Sequence, residues 1–409
     1  MVAEDIFLLY SGVEDLNKNL KTKIESLIDS GLNWHKVLNN AVLNGVFPRF
    51  YQNLGLLGFF HKGSPIPSRD LKELKGLYYA YLGYNMVVWE ETKKNFGELV
   101  KNNIDFTPIK GVLLAETVYK DKYLRMFHDV DLLFPNMFER DKAEKLLAKL
   151  GYKQTYWSLR ESVFYKFKGR IKIIFNIHSS VSSFFSFLEY PTLKNLWKTT
   201  IQKKIGDALV RVILPEYMLL IICLHSFRGG ELLLKDLSDT LEILKKYPNF
   251  NWELFLKIVL EEKLEKFVYI PLQLLDSLSK IYFEKNIVPE KVLSFNSKIL
   301  EEYPFTKKDV LGLIEEKNLN FPVFFERLCQ KCLKRMFCPL MVNRFTREWE
   351  DKFIRKVTWR SLCYYHYLRD YIRKSHGTKY AMSSFFEGSK AFFRLLCLKL
   401  KLKSQIIPD

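Results

Sequence analysis

The sequence lacks long hydrophobic runs and has few cysteines, and both features narrow the class of protein. No run of about 18 apolar residues, the length that a membrane-spanning helix needs, occurs in the chain. The N-terminus, MVAEDIFLLY, has no basic start and no long apolar region, so we expect no secretory signal. The six cysteines stand singly or in helical patterns, which predicts a reducing, cytoplasmic location.

Acidic residues are too few to balance the basic ones, and the imbalance is uneven. The 409 residues include 64 Lys and Arg against 46 Asp and Glu, a formal charge of +18. From Glu326 to Asp409, 19 basic residues face 7 acidic ones, so this last part carries +12. A hydrophobic content of 48% and a charged content of 27% are typical of a globular protein. We find no internal repeat and no low-complexity tract.

The spacing of apolar residues predicts an α+β protein with a small mixed sheet between helical segments. Three- and four-residue spacing predicts helices at 14–28, 33–44, 68–99, 138–150, 215–227, 232–246 and 252–263. Alternating runs on either side of Lys168-Gly169-Arg170 predict a β-hairpin at 162–167 and 171–177.

The same pattern predicts four parts of the chain. They are an N-terminal helical segment at 1–100, an α+β core at 101–200, a helical domain at 201–325, and a basic, aromatic-rich helical region at 326–409. Helices are expected to return from about residue 201. Asn33 and Ser68 are expected to cap the helices that follow them.

The stretch from Phe106 to Phe134 carries the densest set of motifs. It predicts a strand, a glycine turn at Lys110-Gly111, a helix at about 112–119, a loop and a second strand at 127–134. The second strand includes Asp129 and Asp131. Side chains two apart on a strand point to the same side, so the two carboxylates should project together, about 7 Å apart along the backbone.

This pair and the glycine turn predict a site for a metal ion and phosphates. A divalent cation relieves the repulsion between clustered carboxylates, and Mg²⁺ is commonly held by one or two carboxylates plus substrate phosphates. A helix that opens at Gly111 presents free N–H groups and the positive end of its dipole to anions. Together these features indicate chemistry on a nucleoside triphosphate, with Mg²⁺ or Mn²⁺ as cofactor.

The motifs resemble, in their order, the uncharacterised nucleotidyltransferase family of the nucleotidyltransferase superfamily, which has a polymerase-β-like fold. The matching residues in the core are Lys110-Gly111, Tyr119, Arg125, Asp129-Val130-Asp131-Leu132-Leu133, Leu147 to Tyr152 and Asn176-Ile177-His178. Outside the core, the segments 31–34 and 44–48 and the residues His225, Lys235 and Asp239 also fit, so the resemblance covers roughly residues 30 to 245.

The resemblance implies metal-dependent nucleotidyl transfer and assigns roles to five residues. Asp129 and Asp131 would bind the metal and act in catalysis, and Lys110 and Gly111 would hold the triphosphate. Arg125 would support them by clamping a phosphate or orienting an aspartate. The alternative for Arg125 is a structural ion pair with Asp129.

The sequence departs from the family pattern at the position of a third acid. The family has an acidic residue two positions before the histidine, whereas this chain has Asn176 before His178. An amide carries no charge and cannot act as a base. Catalysis could therefore be weakened, lost or rerouted through Glu161, Glu189 or Asp239.

The histidines and the downstream residues have open roles. His178 is predicted either to hydrogen-bond a carboxylate or substrate or to be a core residue. His128 stands directly before Asp129 and either joins the site or is structural. Lys235 and Asp239 are four apart on a predicted helix, which predicts a surface ion pair, with an acceptor-facing role as the alternative.

The C-terminal region allows several interpretations. Its mixture of basic and aromatic residues predicts a helical domain with buried aromatics, an RNA-binding surface, or, through FFRLLCLKLKLK at 392–403, contact with an anionic membrane. The CxxC at 329–332 has no second ligand pair at a zinc spacing, so a structural zinc site is not expected.

We therefore predict a metal-dependent transferase that moves a nucleoside monophosphate from an NTP to RNA, a protein or a small molecule. The alternative is an inactive binding module acting through 326–409 on nucleic acid or membrane. A third possibility is a toxin-like partner in a two-component system.

Overall fold

The computed structural model describes residues 3–14, 16–61, 63–157, 161–181, 193, 195–229, 233–262 and 264–295. These residues all belong to one compact unit, formed by Met1–Ser182 and Pro191–Leu333. The CxxC, Glu189 and the basic region 326–409 lie outside the described residues. Within the described part, none of the helices combines the length and the apolar character needed to cross a bilayer.

In the described part of the chain, five helices precede the sheet. They are α1 (Ala3–Ser11), α2 (Lys18–Asp29), α3 (Trp34–Leu43), α4 (Phe47–Leu56) and α5 (Ser68–Lys101). The predicted α2, α3 and α5 are confirmed. Asn33 caps α3 as predicted, because its Oδ1 accepts the N–H of Lys36 at 3.0 Å, but Ser68 is the first residue of α5 rather than its cap.

The helices α1 and α4 lie inside the predicted helical segment 1–100, but the apolar spacing does not predict their bounds. Phe7 and Leu8 of α1 are fully buried, and six of its nine residues are buried, so the helix shows no polar face to mark its period. In α4, Pro48 stands in the first turn, where a proline is well tolerated.

The core sheet has five strands in the described part of the chain. In chain order the elements are β1 (Thr107–Ile109), α6 (Lys110–Thr117), a 3₁₀ turn (Lys122–Leu124), β2 (Val130–Leu133), α7 (Met137–Lys149), β3 (Lys153–Trp157), β4 (Glu161–Lys168) and β5 (Ile171–His178). The strand order is β1-β2-β5-β4-β3. Strands β2 and β5 run parallel, and the other pairs are antiparallel, so the predicted mixed sheet and the hairpin of β4 and β5 are confirmed.

The two faces of this sheet have different environments. On one face, Phe175 packs edge-on against Tyr152 at 5.3 Å between ring centroids, and Tyr152 accepts a hydrogen bond from Asn95 of α5. On the same face, Lys166 reaches Glu91 of α5 at 3.2 Å. The long helix α5 therefore covers this face, and Asp131 and Asn176 belong to the opposite one because side chains alternate along a strand.

The prediction that helices return from about residue 201 is wrong for the segment that follows the sheet. Residues 201–212 form a two-stranded hairpin, β6 (Ile201–Ile205) and β7 (Ala208–Val212), and not the start of a helical domain. Ala208, Val210 and Val212 are buried while Leu209 is exposed, which is the two-residue period of a strand. Gly206 makes the turn with a φ of +61°, a conformation that favours glycine.

Helices then return largely where predicted. They are α8 (Pro215–Gly229), α9 (Leu234–Lys246), α10 (Trp252–Glu261), α11 (Glu265–Phe283) and α12 (Glu290–Phe295). The boundaries predicted between the four parts of the chain stay a prediction.

Candidate functional site

The strand pairing brings the predicted site residues together. β2 begins at Val130, so Asp131 lies on the strand and Asp129 directly before it. Ile109 is the register partner of Asp131 across the antiparallel pair, which places Lys110 beside this aspartate. On the other side, Asn176 of β5 is the parallel register partner of Asp131.

One oxygen of Asp131 accepts from several donors. Its Oδ1 lies 3.0 Å from Nζ of Lys110, 2.7 Å from Nε2 of His178 and 3.4 Å from Nδ2 of Asn176. Asp131 is 4% exposed, so these contacts supply the partners that a buried carboxylate needs. His178 is itself buried, so its contact with Asp131 agrees with both predicted alternatives, a partner of a carboxylate and a core histidine.

Asp129 is linked to the same group through Asn176. The amide Nδ2 of Asn176 donates to Oδ2 of Asp129 at 2.6 Å as well as to Asp131. The amide therefore occupies the position of the expected third acid and bridges the two carboxylates as a donor.

The two aspartates have opposite pKa shifts. The charge of Asp131, together with burial, raises the pKa of Asp129 to about 6. Burial opposes ionisation of Asp131 too, but Lys110 and the hydrogen bond from His178 outweigh it and hold the pKa of Asp131 well below its usual value. The site thus combines one firmly ionised acid with one that gives up its proton near neutral pH.

The turn between β1 and α6 is strained and tightly packed. Lys110 has a φ of +56°, a left-handed conformation that is unfavourable for a residue with a side chain. A Cβ on Gly111 would lie 2.7 Å from Cβ of Phe127, so only glycine fits there. The helix begins at Lys110, two residues earlier than predicted, and ends at Thr117.

Arg125 does not pair with Asp129, so the predicted ion pair is wrong. Nε of Arg125 lies 2.6 Å from Oδ1 of Asp239, and Nη2 lies 2.6 Å from Oδ2, which is a bidentate arrangement. The third nitrogen, Nη1, donates to the backbone oxygen of Met126. Both partners are buried. The phosphate contact predicted for Arg125 stays a prediction, and it would require the guanidinium to leave Asp239.

The charged cluster around Asp239 continues toward the N-terminal helices. Tyr119 donates to Asp239 at 2.7 Å, and its ring lies 5.4 Å from the guanidinium of Arg49 in α4. Arg49 in turn lies 3.1 Å from Glu14. Burial and the Asp239 charge raise the pKa of Tyr119 well above its ordinary value, so the phenol stays a donor. Arg49 and Glu14 could not be predicted from the sequence, because nothing in their local sequence marks a contact with a motif so far along the chain.

The predicted surface ion pair between Lys235 and Asp239 is wrong. Asp239 is 1% exposed and bonded to Arg125, so it points into the protein. Lys235, at the start of α9, instead lies against Gly45, with its Cδ 2.8 Å from where a Cβ on that glycine would be.

Lys235 is also close enough to the acid pair to affect it. Its charge helps lower the pKa of Asp129 against the larger effect of Asp131. It also adds to the partial desolvation of the His128 ring in lowering the pKa of that histidine. A second cation besides Lys110 therefore acts on the site, and it comes from a helix about 100 residues further along the chain.

Of the three substitutes for the third acid, one lies on the same face as the aspartates. Glu161 is the register partner of His178 across β4 and β5, so its side chain leaves the sheet on the side of Asp131. Asp239 is already bonded to Arg125 and Tyr119. Glu189 lies outside the described residues.

The residues that would hold a metal ion are the two aspartates. Within the described part of the chain, no group of three or more His, Cys, Asp or Glu side chains is arranged to hold a metal by itself. Asp129 and Asp131 provide two carboxylates, and a cation would relieve the repulsion from Asp131 that raises the pKa of Asp129. Mg²⁺ usually needs no more than this from the protein when phosphates and water complete its shell.

The fold and the acid pair define the nucleotidyltransferase class, and comparison with known proteins gives the family. The chain belongs to the uncharacterised nucleotidyltransferase family, whose model matches residues 30–279, which confirms the resemblance seen in the motifs. A solved structure of an antigenic nucleotidyltransferase-like protein from Paracoccidioides brasiliensis is similar at 16% identity and a TM-score of 0.32, covering 51% of this chain and 96% of that one. No curated protein sequence matches the chain.

Proposed function

We propose that this nucleotidyltransferase-family protein transfers a nucleoside monophosphate from an NTP to an acceptor hydroxyl, with Mg²⁺ or Mn²⁺ as cofactor. The observation that carries the proposal is the acid pair at the start of β2 beside Lys110, the first residue of α6. Two carboxylates attract a metal, and a lysine at a helix start attracts phosphate.

Each residue has a defined task in this proposal. Asp129 and Asp131 would hold the metal, which when bound neutralises phosphate charge and stabilises the attacking and leaving oxygens. Lys110 and Lys235 would neutralise the triphosphate from the α6 and α9 sides. His178 keeps Asp131 ionised and oriented through its 2.7 Å hydrogen bond.

The reaction is an in-line displacement at the α-phosphorus. The acceptor oxygen forms a bond to this phosphorus while its proton passes to solvent water. The bond from the α-phosphorus to the oxygen that bridges to the β-phosphorus breaks, and pyrophosphate leaves.

Titration calorimetry with each NTP, with and without Mg²⁺, tests the proposal. We expect binding that depends on Mg²⁺ and that falls at least about 100-fold in Asp129→Asn, because one of two metal carboxylates is lost. Asp141→Asn is the matched control, since Asp141 is an exposed acid on α7. Equal NTP affinity with and without Mg²⁺, or in Asp129→Asn and wild type, would rule the proposal out.

A specific observation favours a second candidate, a nucleotide-binding module without transferase activity. Asn176 occupies the third-acid position and donates to both aspartates. Its side chain is a neutral amide, which cannot take a proton from an acceptor. In this case the protein binds an NTP with metal but releases no pyrophosphate.

Asn176→Asp separates the two candidates. If the wild-type protein is active, pyrophosphate release is already measurable, and the substitution changes its rate. If it is a binding module, release is absent in wild type and present only in the variant. Asn39→Asp, at an exposed asparagine of α3, is the control for adding a negative charge.

A further inference from the structure

Beyond the acid pair, the site face of the sheet continues as an open surface. The register pairs form a row from Asp131 through Asn176 and Val163 to Tyr156, which crosses four strands and spans about 14 Å. We call the surface beyond Asn176 the open face. Its residues are Tyr156, Val163, Tyr165, Phe167, Lys172 and Ile174.

The open face is aromatic and accessible. Phe167 is 58% exposed and Tyr156 is 52% exposed, whereas Val163, Tyr165 and Ile174 are half-buried. The rings of Tyr165 and Phe167 meet edge-on at 5.7 Å between centroids. Large aromatic side chains exposed together on one side of a sheet are a surface on which planar groups can stack.

The charge of the open face is positive. Nζ of Lys172 lies 4.7 Å from the centroid of the Tyr165 ring. At the edge of the open face, the exposed Lys153 of β3 is the register partner of Tyr165 and places a second cation beside it. Cations interleaved with aromatic rings suit a ligand that carries both phosphates and bases.

The position of the open face relative to α6 indicates which substrate it receives. In-line displacement needs the attacking and leaving oxygens on opposite sides of the phosphorus. Lys110 and α6, which packs on β1 and β2, lie on one side of Asp131, and the open face lies on the other, beyond Asn176. With the triphosphate and its leaving group toward Lys110, the acceptor approaches from the open face.

We propose that the acceptor is a single-stranded polynucleotide, whose last bases stack on Tyr165 and Phe167 and whose terminal hydroxyl reaches the acid pair beside Asn176. This inference rests on the proposed function. It adds the acceptor class and the side from which the acceptor enters.

The test uses the full-length protein and fluorescein-labelled single-stranded oligonucleotides of about 12 nucleotides, one RNA and one DNA, in an anisotropy titration. We expect Phe167→Ser and Lys172→Gln each to weaken binding about five- to tenfold, through lost stacking and lost charge. The RNA and DNA arms decide which polynucleotide is preferred.

The control is a matched aromatic and lysine pair outside the open face. Phe138 of α7 is 70% exposed, and Nζ of Lys142 lies 5.3 Å from its ring. Phe138→Ser and Lys142→Gln should leave oligonucleotide affinity unchanged, and all four variants should bind Mg²⁺ with NTP as wild type does.

Two results would overturn the inference. In one, Phe167→Ser and Lys172→Gln bind the oligonucleotides with the affinity of wild type, which would mean that the region 326–409 alone binds them. The other is transfer of label from an α-phosphate-labelled NTP to protein, lipid or a small molecule but not to the oligonucleotide. Failure of NTP binding in wild type is a separate result, which would end the proposed function itself.

Discussion

Asp129 carries a repulsion that the folded protein retains in the absence of a cation. Asp131 is held ionised by Lys110 and His178, so the unfavourable interaction falls on its neighbour, whose pKa rises to about 6 from an ordinary value of 3.8. A group whose pKa is raised on folding destabilises the fold wherever it is ionised.

The first prediction follows from this destabilising effect of ionised Asp129. Without divalent metal, Asp129→Asn should be more stable than wild type by about 2–3 kcal/mol at pH 8. The difference should shrink as pH falls through 6 and vanish near pH 4, where wild-type Asp129 is protonated too. Urea denaturation across this pH range measures it, and parallel stability curves for the two proteins would contradict it.

Gly111 shows why a motif residue can have two explanations at once. The sequence predicts that this glycine allows phosphate to approach the backbone. The structure shows a different reason for a glycine, which is that the absence of a Cβ leaves room for Phe127. Only the second can be read from the contacts.

The second prediction separates Gly111 from an ordinary helical glycine. Gly111→Ala should destabilise the protein by about 1–3 kcal/mol, because the new Cβ would lie 2.7 Å from that of Phe127. Gly83→Ala, at an α5 glycine whose added Cβ would meet nothing within 4 Å, should stabilise by about 0.5–1 kcal/mol. Thermal unfolding measures both changes, and an equal effect at the two sites would refute the packing argument.

Between elements, the Arg125–Asp239 pair holds the loop before β2 to α9. The loop carries Phe127 and leads directly into the acid pair, so through this loop α9 also positions the site indirectly. The four-residue spacing of Lys235 and Asp239 within one helix predicts a surface position for Asp239, which the structure contradicts. Contacts between segments more than 100 residues apart leave no such local pattern.

The third prediction concerns the contribution of the Arg125–Asp239 pair to the free energy of unfolding. Arg125→Met and Asp239→Leu should each cost about 3–5 kcal/mol, since each leaves a buried charge without its partner. The double variant should cost less than the sum. Arg211→Met is the control, because Arg211 and Asp105 form a pair of similar length, 2.7 Å, whose partners are 38% and 43% exposed and whose loss should cost less than about 1 kcal/mol. Strict additivity of the two buried substitutions in urea denaturation would contradict the assignment.

Across the described part of the molecule, the N-terminal helices and α9 form one packed structure. Asn53 donates to the backbone oxygens of Ser11 and Val13, and Ser238 of α9 donates to that of Gly12. The backbone N–H of Glu14 donates to Glu242. Although the family match begins at residue 30, the preceding helices belong to the same unit.

The fourth prediction tests the contribution of α1. Leu8→Ala should cost about 2–5 kcal/mol because Leu8 is fully buried, and Leu43→Ala, at a leucine that is 67% exposed, should change stability by less than about 0.5 kcal/mol. Chemical denaturation of the two variants decides it. Similar values would mean that α1 adds little to the core.

The parts of the fold that could be predicted are those with a strong local signal. The amphipathic helices and the β4–β5 hairpin have one, and so does the acid pair with its glycine turn. The helix α1 is buried on most sides, and the strands of the β6–β7 hairpin are only five residues each, so neither pattern is long enough to be distinctive. The contacts of Arg125, Arg49 and Lys235 depend on how distant helices pack, which no local period records.

Asn176 has the same shape as an aspartate and already lies beside both carboxylates. Asparagine and aspartate codons differ by a single base. One point mutation therefore separates this protein from a three-acid version of itself, and the same small genetic step in reverse could silence the three-acid form while leaving its architecture in place.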